Sequence, residues 1–236
     1  MPFLGRLGVI ESWLPADAVR VLEIGCSWGY LLAALRDEVR HRYGLDINRL
    51  DLKDAVDWYG ARARFLCASA EALPFPSGFF DAVIMSEVLE HTASETTALH
   101  EAARVLRPRG TVILTVPHRG PMELTDMTNW KYRMPGLHRW AYGWKHHGDL
   151  SRFVPVTQYH RHYTVRGLSE LVAPKFEIAA VRRCGFVLFG LADYAAIVRS
   201  PALVGLMFKL AGLDYAIGYG SLSYNLAMCL RKAESE

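Results

Sequence analysis

The sequence is poor in cysteine, in net charge and in long uncharged apolar runs. Its four cysteines lie far apart without a CxxC pair, and three of them, Cys67, Cys184 and Cys229, fall in or beside apolar runs. This argues against a disulfide framework or a zinc site and predicts buried free thiols in a reducing compartment. A net charge of +3 over 236 residues is too small to predict nucleic-acid binding by the whole surface. With 51% hydrophobic residues, the composition is that of a globular protein.

Two segments of the sequence bear on where in the cell the protein is located. Residues 1–15 lack the basic start, apolar stretch and small-residue cleavage site of a secretory signal, so we expect a cytoplasmic protein. Residues 185–219 are strongly apolar, but charged residues and a proline interrupt them. No uncharged stretch reaches the roughly 18–20 residues that a membrane span needs. Peripheral contact with a membrane or a lipid-linked substrate, an apolar pocket lining and a homodimer face all stay open for this segment.

The first two-thirds of the chain alternate short apolar runs with amphipathic ones, which is typical of βα units around a parallel sheet. Strands are expected over residues 19–24, 41–46, 63–67, 79–86 and 111–116. Helices are expected over residues 30–39 and 50–59, and a third helix from a capping box at Thr92 and Glu95 to Leu106. A turn at residues 107–110 then stops that helix.

The regular alternation breaks after residue 117. A short helix from Thr164 and strands over residues 175–183 and 223–232 follow an aromatic and basic stretch. We therefore predict an α/β fold with a Rossmann-like, seven-stranded, mostly parallel sheet, helices on both faces and a cap inserted after the fifth strand. It is one domain, with a core of residues 1–117 and 164–236, a cap at about 118–163 and an apolar excursion at about 185–219.

A glycine-rich turn follows the first strand, at EIGCSWG. Glycines there permit close approach of the backbone to a ligand or a helix. Gly25 and Gly29 are four positions apart, whereas the dinucleotide fingerprint GxGxxG separates its first and last glycines by five. Bulky Trp28 also lies where a pyrophosphate would need room. The spacing disfavours a nicotinamide cofactor.

Asp46 closes the second predicted strand, 21 residues after Gly25. A carboxylate at this distance from a glycine turn is placed to accept hydrogen bonds from a ribose diol. The alternative is that Asp46 caps the following helix, because aspartate is a favoured N-cap residue.

Four ordered segments, VLEIGCSWGYLLAAL, GLDIN, ASAEALPFPSGFFDAVIMSEVLEHT and EAARVLRPRGTVILTVPH, resemble the motifs of class I S-adenosylmethionine-dependent methyltransferases, ubiquinone/menaquinone-type branch. The resemblance covers residues 19–118, with a weaker match at RHYTVRGLSELV. It implies S-adenosylmethionine as cofactor, S-adenosylhomocysteine as product, and methyl transfer to a small acceptor.

The resemblance also implies a role for each motif residue. Those expected at the methionine end of the cofactor are Glu23, Gly25, Cys26 and Gly29. Asp46 would hold the ribose hydroxyls and Ile47 would pack on the adenine. The adenine edge would be surrounded by Ser69, Ala70 and Glu71. The residues expected near the sulfonium are Ser86, Glu87 and Val88.

Two positions depart from the family pattern. Ser27 replaces a common middle glycine, and Ser69 replaces a common aspartate facing the adenine amino group. Serine still accepts a hydrogen bond, so we expect binding to survive. These departures keep a non-catalytic cofactor-binding scaffold open as an alternative, while a nicotinamide-dependent oxidoreductase is the least favoured reading.

A sulfonium already carries an activated methyl group, so the protein needs chiefly to align acceptor, methyl and sulfur. A hydroxyl acceptor, which we favour, would gain from a base, and histidine titrates in the right range. His91 and His118 follow the fourth and fifth predicted strands, at the edge where α/β sheets bind ligands. They are the candidate catalytic bases, with loop hydrogen bonding as the alternative for each.

Six of the nine histidines lie between residues 118 and 162. His160 and His162 alternate on one face, and with His138, His146 or His147 they suggest a metal site. No carboxylate or cysteine ligand is close in sequence and no HExxH helix is present, so we predict no metal. A polar rim over the acceptor pocket is the simpler interpretation.

Residues 117–163 carry seven basic and three acidic residues, together with Trp130, Trp140 and Trp144. This composition suggests a pocket for an acceptor with an anionic group and a flat or apolar body. A solvated basic surface with tryptophans folded into a small core is the alternative. We expect no nucleic-acid partner, because no RNA-binding module accompanies the basic residues. The apolar 185–219 segment favours a hydrophobic acceptor.

Overall fold

Seven strands form one sheet in the computed structural model, which describes residues 3–145, 147–151, 153, 159–185, 215 and 217–233. The strands are β1 Arg20–Ile24, β2 His41–Asp46, β3 Arg64–Cys67, β4 Phe80–Ser86, β5 Leu106–Pro117, β6 Phe176–Cys184 and β7 Asn225–Lys232. The helices are α1 Phe3–Trp13, α2 Tyr30–Ala34, α3 Arg49–Tyr59, α4 Glu95–Val105, α5 Met127–Arg133, α6 Pro135–Lys145 and α7 Val165–Val172. Short 3-10 turns span Leu89–His91, Pro121–Thr125 and Gly220–Leu222.

The strand order is β3-β2-β1-β4-β5-β7-β6. The first five strands are parallel, and β7 runs antiparallel to both β5 and β6. This confirms the predicted α/β class and the predicted mostly parallel, seven-stranded sheet. The order reverses at β1, so the loops after β1 and β4 leave the sheet side by side at its carboxyl edge, where α/β sheets bind ligands.

Alternate residues of the central strands face two separate cores. Ala82 and Ile84 of β4 pack with α1 and α2 on one face, while Val83 and Met85 pack with α4 and α7 on the other. Burial on both faces explains the near-continuous apolar runs of these strands. The β4 and β1 backbones are thereby fixed, and with them the loops that follow.

Several local predictions are wrong. The helix after the glycine turn ends at Ala34 instead of residue 39, because Leu35 is extended. The buried Arg42 guanidinium donates hydrogen bonds to the carbonyls released there, including those of Ala33 and Leu35. Ser94, not Thr92, caps α4, since its hydroxyl accepts the Thr97 N–H.

Residues 107–110 belong to β5, where Arg109 has a positive φ of 58°. The predicted turn is therefore an irregularity within that strand. All four cysteines are free as predicted, but Cys67 is exposed and Cys26 is buried. Within the described ranges, no helix is both long and apolar enough to cross a membrane.

Some predictions fall on residues that the structure does not describe. Apart from residues 185, 215 and 217–219, the apolar excursion 185–219 lies outside the described residues, and so do His146 and Arg152. The division into a core and a cap stays a prediction.

Candidate cofactor and acceptor site

The turn after β1 needs both of its glycines. Gly25 and Gly29 have φ of +73° and +72°, a region that side chains rarely adopt. A Cβ on Gly25 would lie 2.4 Å from Cγ2 of Val88, and one on Gly29 would lie 2.5 Å from Cζ of Phe65. The turn therefore packs directly on the loop after β4 and on β3, and leaves its backbone facing the carboxyl edge.

Asp46 holds this turn in place. Its Oδ2 accepts the Ser27 N–H at 2.8 Å, and its Oδ1 accepts the Asn48 N–H at 2.8 Å. The alternative role as helix N-cap is wrong, because Asn48 caps α3 by accepting from Leu50 and Asp51. A carboxylate has about four acceptor positions, so Asp46 keeps capacity for further donors.

Ser27, which replaces a glycine common in the resembled motif, stands in the left-handed region with φ of 44°. Its hydroxyl donates to Oδ2 of Asp51 at 2.8 Å. This hydrogen bond connects the turn to α3 at the residue whose backbone is strained. Serine is thus accommodated at this position without opening the turn.

Glu23 lies below the turn, 3% exposed, and its Oε2 accepts the Leu32 N–H at 3.1 Å. Burial, opposed by that hydrogen bond and reinforced by the negative charge of Asp46, raises the pKa of Glu23 to about 8. Glu23 and Ser86 line a small cavity of about 30 Å³ beside Cys26. The site therefore holds a buried carboxyl group that ionises readily only when a positive charge arrives.

On the β3 side, the predicted adenine residues make different contacts. Ile47 is 75% exposed, while Ala70 is buried. Ser69 accepts the Glu71 N–H at 3.1 Å, and Oε1 of Glu71 accepts the Ala93 N–H at 2.7 Å. Ile47 is thus open to a ligand, whereas Ser69 and Glu71 stabilise the loops around it.

The loop after β4 contacts an arginine that no sequence motif predicts. Arg6 of α1 lies 3.4 Å from Oγ of Ser86 and 4.0 Å from Oε1 of Glu87. Glu87 has a positive φ of 56°. Burial raises the pKa of the Glu87 carboxyl although Arg6 lowers it. No short motif signals Arg6, because its partners lie 80 residues away.

Beyond this loop lies a buried polar cluster of Glu90, Asp126, His160 and His162, beside the ring of His91. Nδ1 of His160 is 2.5 Å from Oδ2 of Asp126, and its Nε2 is 3.3 Å from Oε1 of Glu90. Burial would lower the pKa of His160, but hydrogen bonds to these two carboxylates raise it to about 10. His160 is therefore an imidazolium at neutral pH.

His91 is the exposed member of this region, with a side chain 55% accessible. Its ring stacks on that of His160 with centroids 5.0 Å apart. Partial burial and the positive charge of His160 lower the pKa of His91, so its imidazole is neutral at neutral pH. A neutral, accessible imidazole is a competent proton acceptor.

His118, the other candidate base, is buried at the start of the cap. Its Nδ1 lies 3.0 Å from Oγ and 3.2 Å from O of Ser223. Burial lowers the pKa of this imidazole. These contacts join the end of β5 to the segment before β7, which gives His118 a structural role whether or not it acts as a base.

Two groups have ligand atoms within 4.8 Å of one another, as a metal site requires. They are Glu90, His91 and His160, and Asp126, His160 and His162. Glu90 and Asp126 lie 70 and 34 residues before His160 along the chain, so no sequence spacing pointed to either carboxylate as its partner. The protonated ring of His160 already links the two carboxylates. The absence of a metal stays a prediction.

The cap tryptophans do not form a small core. Trp130, Trp140 and Trp144 are 48%, 66% and 64% exposed. The alternative of tryptophans folded inward is therefore wrong. Within residues 118–163, Asp126 and His160 contribute to the polar cluster beside His91.

Residues 22–114 match a family model described as methyltransferase domain. A probable S-adenosylmethionine-dependent methyltransferase of Mycolicibacterium smegmatis is 31% identical over 99 residues, 42% of this chain and 38% of that one. A ubiquinone biosynthesis O-methyltransferase of Cereibacter sphaeroides is 31% identical over 140 residues, 56% of this chain and 57% of that one. The chain spans 21% of the biotin biosynthesis bifunctional protein BioHC of Saccharophagus degradans, so its share of these relatives runs from about a fifth to little over half.

Solved structures share the fold over nearly the whole chain. The (4+2)-cyclase SpnF has a TM-score of 0.63 at 22% identity, covering 98% of this chain and 80% of that one. A putative methyltransferase solved with the Haloferax volcanii Trm112 activator has a TM-score of 0.64 at 16% identity, covering 98% and 90%. The fold is that of Rossmann-like methyltransferases. Residues 22–114 match a methyltransferase domain, and a relative of that region is named an S-adenosylmethionine-dependent methyltransferase, which confirms the resemblance in the motifs.

The residues fit that cofactor. Gly25 and Gly29 let the turn pack against Val88 and Phe65, where a Cβ would clash, and Asp46 at this turn retains acceptor capacity. Glu23 supplies a buried carboxyl group for a cation. These groups match a ligand with a ribose diol and an ammonium group.

Proposed function

We propose that the protein transfers the methyl group of S-adenosylmethionine to an oxygen of a small hydrophobic or anionic acceptor. One observation chiefly supports this proposal. The turn held by Asp46 and the accessible, neutral imidazole of His91 lie on adjacent loops at the carboxyl edge of the sheet. When bound, the cofactor would supply a methyl group activated by its sulfonium.

The turn would bind the methionine end. Gly25, Cys26 and Gly29 offer backbone close to the ligand, and Glu23 would become ionised on pairing with its ammonium group. The positive charge would lower the pKa of this buried carboxyl group and so favour the ionised form, which burial alone disfavours at neutral pH.

The nucleoside would extend from Asp46 toward β3. The free acceptor positions of Asp46 would take the ribose hydroxyls, and exposed Ile47 would pack on the adenine. Ala70 would contact the adenine edge, with Ser69 and Glu71 fixing the loop. Ser86, Glu87 and Val88 would lie beside the sulfonium, because Val88 packs on Gly25.

His91 is the better placed base, since it is exposed next to this loop while His118 is bound to Ser223. His91 would accept the hydroxyl proton as the oxygen attacks the methyl carbon. Partial burial, together with the positive charge of His160, lowers the pKa of His91 and so favours the neutral imidazole beforehand. Positioning would still supply most of the acceleration, as it does for pre-activated groups.

The acceptor class is supported by two features. The Cereibacter relative is named an O-methyltransferase, which favours oxygen as the acceptor atom. Four basic residues and no acidic ones in residues 127–145 favour an acceptor with an anionic group. We keep the cytoplasm, or a membrane surface facing it, as the proposed location.

The test is transfer of a labelled methyl group to a panel of phenols and hydroxy acids with and without apolar chains, with the product oxygen assigned by NMR. His91→Gln should lower kcat by about 10²–10⁴ with little change in cofactor affinity. His118→Gln is the matched comparison and should affect stability more than kcat. Cofactor binding without transfer to any acceptor would favour the non-catalytic scaffold.

A further inference from the structure

Helix α6 presents its apolar side away from the protein. Leu137, Trp140 and Trp144 follow one another at helical spacing and are 52%, 66% and 64% exposed. None of the helix residues is buried. An amphipathic helix of a globular protein normally turns such a stripe toward the core. Here all three side chains stay more than half exposed.

The other side of α6 fixes this orientation. The rings of His138 and Tyr142 pack on Phe153 with centroids 5.0 and 5.3 Å apart. Arg139 lies over the same ring at 5.8 Å. These contacts bind one face of the helix to the protein, so the tryptophan stripe faces outward.

The apolar exposure is concentrated around this helix. Of the 18 large hydrophobic residues that are exposed among the described residues, seven lie within residues 124–144. They are Leu124, Trp130, Tyr132, Met134, Leu137, Trp140 and Trp144. Exposed apolar side chains that are concentrated in this way mark an interaction site more often than those scattered singly over a surface.

The charge around the patch has one sign. Residues 127–145 contain Lys131, Arg133, Arg139 and Lys145 and no acidic residue. By contrast, exposed Trp58 on α3 shares its helix with Asp51, Asp54 and Asp57. Tryptophan with lysine and arginine suits the headgroup region of an anionic bilayer, where rings insert and cations meet phosphates.

We infer that α5 and α6 form a binding site for an anionic phospholipid bilayer. Leu137, Trp140 and Trp144 enter the headgroup region, and the basic residues other than Arg139, which lies over Phe153 on the protein-facing side, contact lipid phosphates. Asp126, the residue before α5, contacts His160 of the polar cluster. The bilayer therefore lies beside the acceptor side of the site and, given the proposed methyl transfer, the acceptor is itself held in or linked to lipid.

The test uses the full chain and sedimentation with vesicles. Vesicles of phosphatidylcholine with roughly one third phosphatidylglycerol should carry the protein down, pure phosphatidylcholine vesicles much less, and high salt should weaken the effect. Trp140→Ala with Trp144→Ala should lower the partition coefficient at least about tenfold. Arg133→Gln should lower it about fivefold for anionic vesicles. The control Trp58→Ala should leave it unchanged.

Equal binding by the wild type and the double variant would overturn the inference and assign membrane contact to another segment. No binding by the wild type would overturn the inference as well. If the double variant were then monomeric and the wild type dimeric, a second copy of the chain would be the partner that covers this surface. Circular dichroism and calorimetry with S-adenosylhomocysteine on the same variants separate these failures from failure of the cofactor site, which the tryptophans do not touch.

Discussion

The two sides of the catalytic edge are held by different forces. On the cofactor side, backbone N–H groups of Ser27 and Asn48 bind one carboxylate, and glycines permit the close packing. On the acceptor side, buried charged side chains from distant segments bind one another, with His160 joining Asp126 and Glu90. The cofactor side should therefore be sensitive to shape and the acceptor side to charge.

The largest effect should come from removing the charge that links the acceptor side. His160→Gln leaves Asp126 and Glu90 buried without their cation, which should lower the free energy of unfolding by about 3–5 kcal/mol. The folded pKa of about 10 lies above the ordinary 6.5. The stabilisation is therefore complete below pH 6.5 and declines as the pH rises toward 10.

Urea unfolding at pH 6, 8 and 10 measures this effect, with exposed His100→Gln as control. The difference between wild type and His160→Gln should shrink at the highest pH. A difference independent of pH would contradict the charged link.

Gly25→Ala tests the shape requirement of the cofactor side. The new Cβ meets Val88 at 2.4 Å at a φ of +73°, so we expect a loss of about 3 kcal/mol in stability and of detectable cofactor binding. Gly78→Ala is the matched control, because Gly78 has φ of +72° with nothing within 4 Å. It should cost only about 1 kcal/mol. Equal losses in the two variants would show that backbone strain, not packing on Val88, decides.

Glu23 is a charge-sensitive position on the cofactor side. Its folded pKa of about 8 lies above the ordinary 4.5, so the folded protein retains a proton that the unfolded chain releases. Stability should therefore fall by roughly 4 kcal/mol as the pH rises from 4.5 to 8. Glu23→Gln should remove that part of the decline and weaken binding of the cofactor ammonium group. An unchanged pH profile of unfolding would refute the raised pKa.

Ser27→Gly should have the smallest effect. It relieves the backbone strain of a φ of 44° but removes the hydroxyl hydrogen bond to Asp51. Each change alters the free energy of unfolding by about 1 kcal/mol, in opposite directions. Stability should change by less than about 1 kcal/mol, and cofactor affinity by less than about threefold. A large gain in affinity, measured by calorimetry, would mean that the serine weakens the site.

The difference between local contacts on the cofactor side and long-range contacts on the acceptor side explains what the sequence could predict. The strands and the glycine turn follow from local periodicity and backbone conformation, and their predicted positions are close to the observed ones. The contacts of Arg6 with Ser86 and of His160 with Glu90 join residues 80 and 70 positions apart, which no local pattern encodes. The early end of α2 likewise depends on Arg42, from the following strand.

The central claim is that Asp46 and the glycine turn bind S-adenosylmethionine. Calorimetric titration of S-adenosylhomocysteine into the wild type, Asp46→Ala and the control Asp51→Ala tests it most directly. We predict micromolar binding by the wild type, a loss of at least about a hundredfold in Asp46→Ala, since two turn anchors and the ribose contacts go together, and a small change in Asp51→Ala. Equal binding by Asp46→Ala and the wild type, or no binding by the wild type, would contradict the claim.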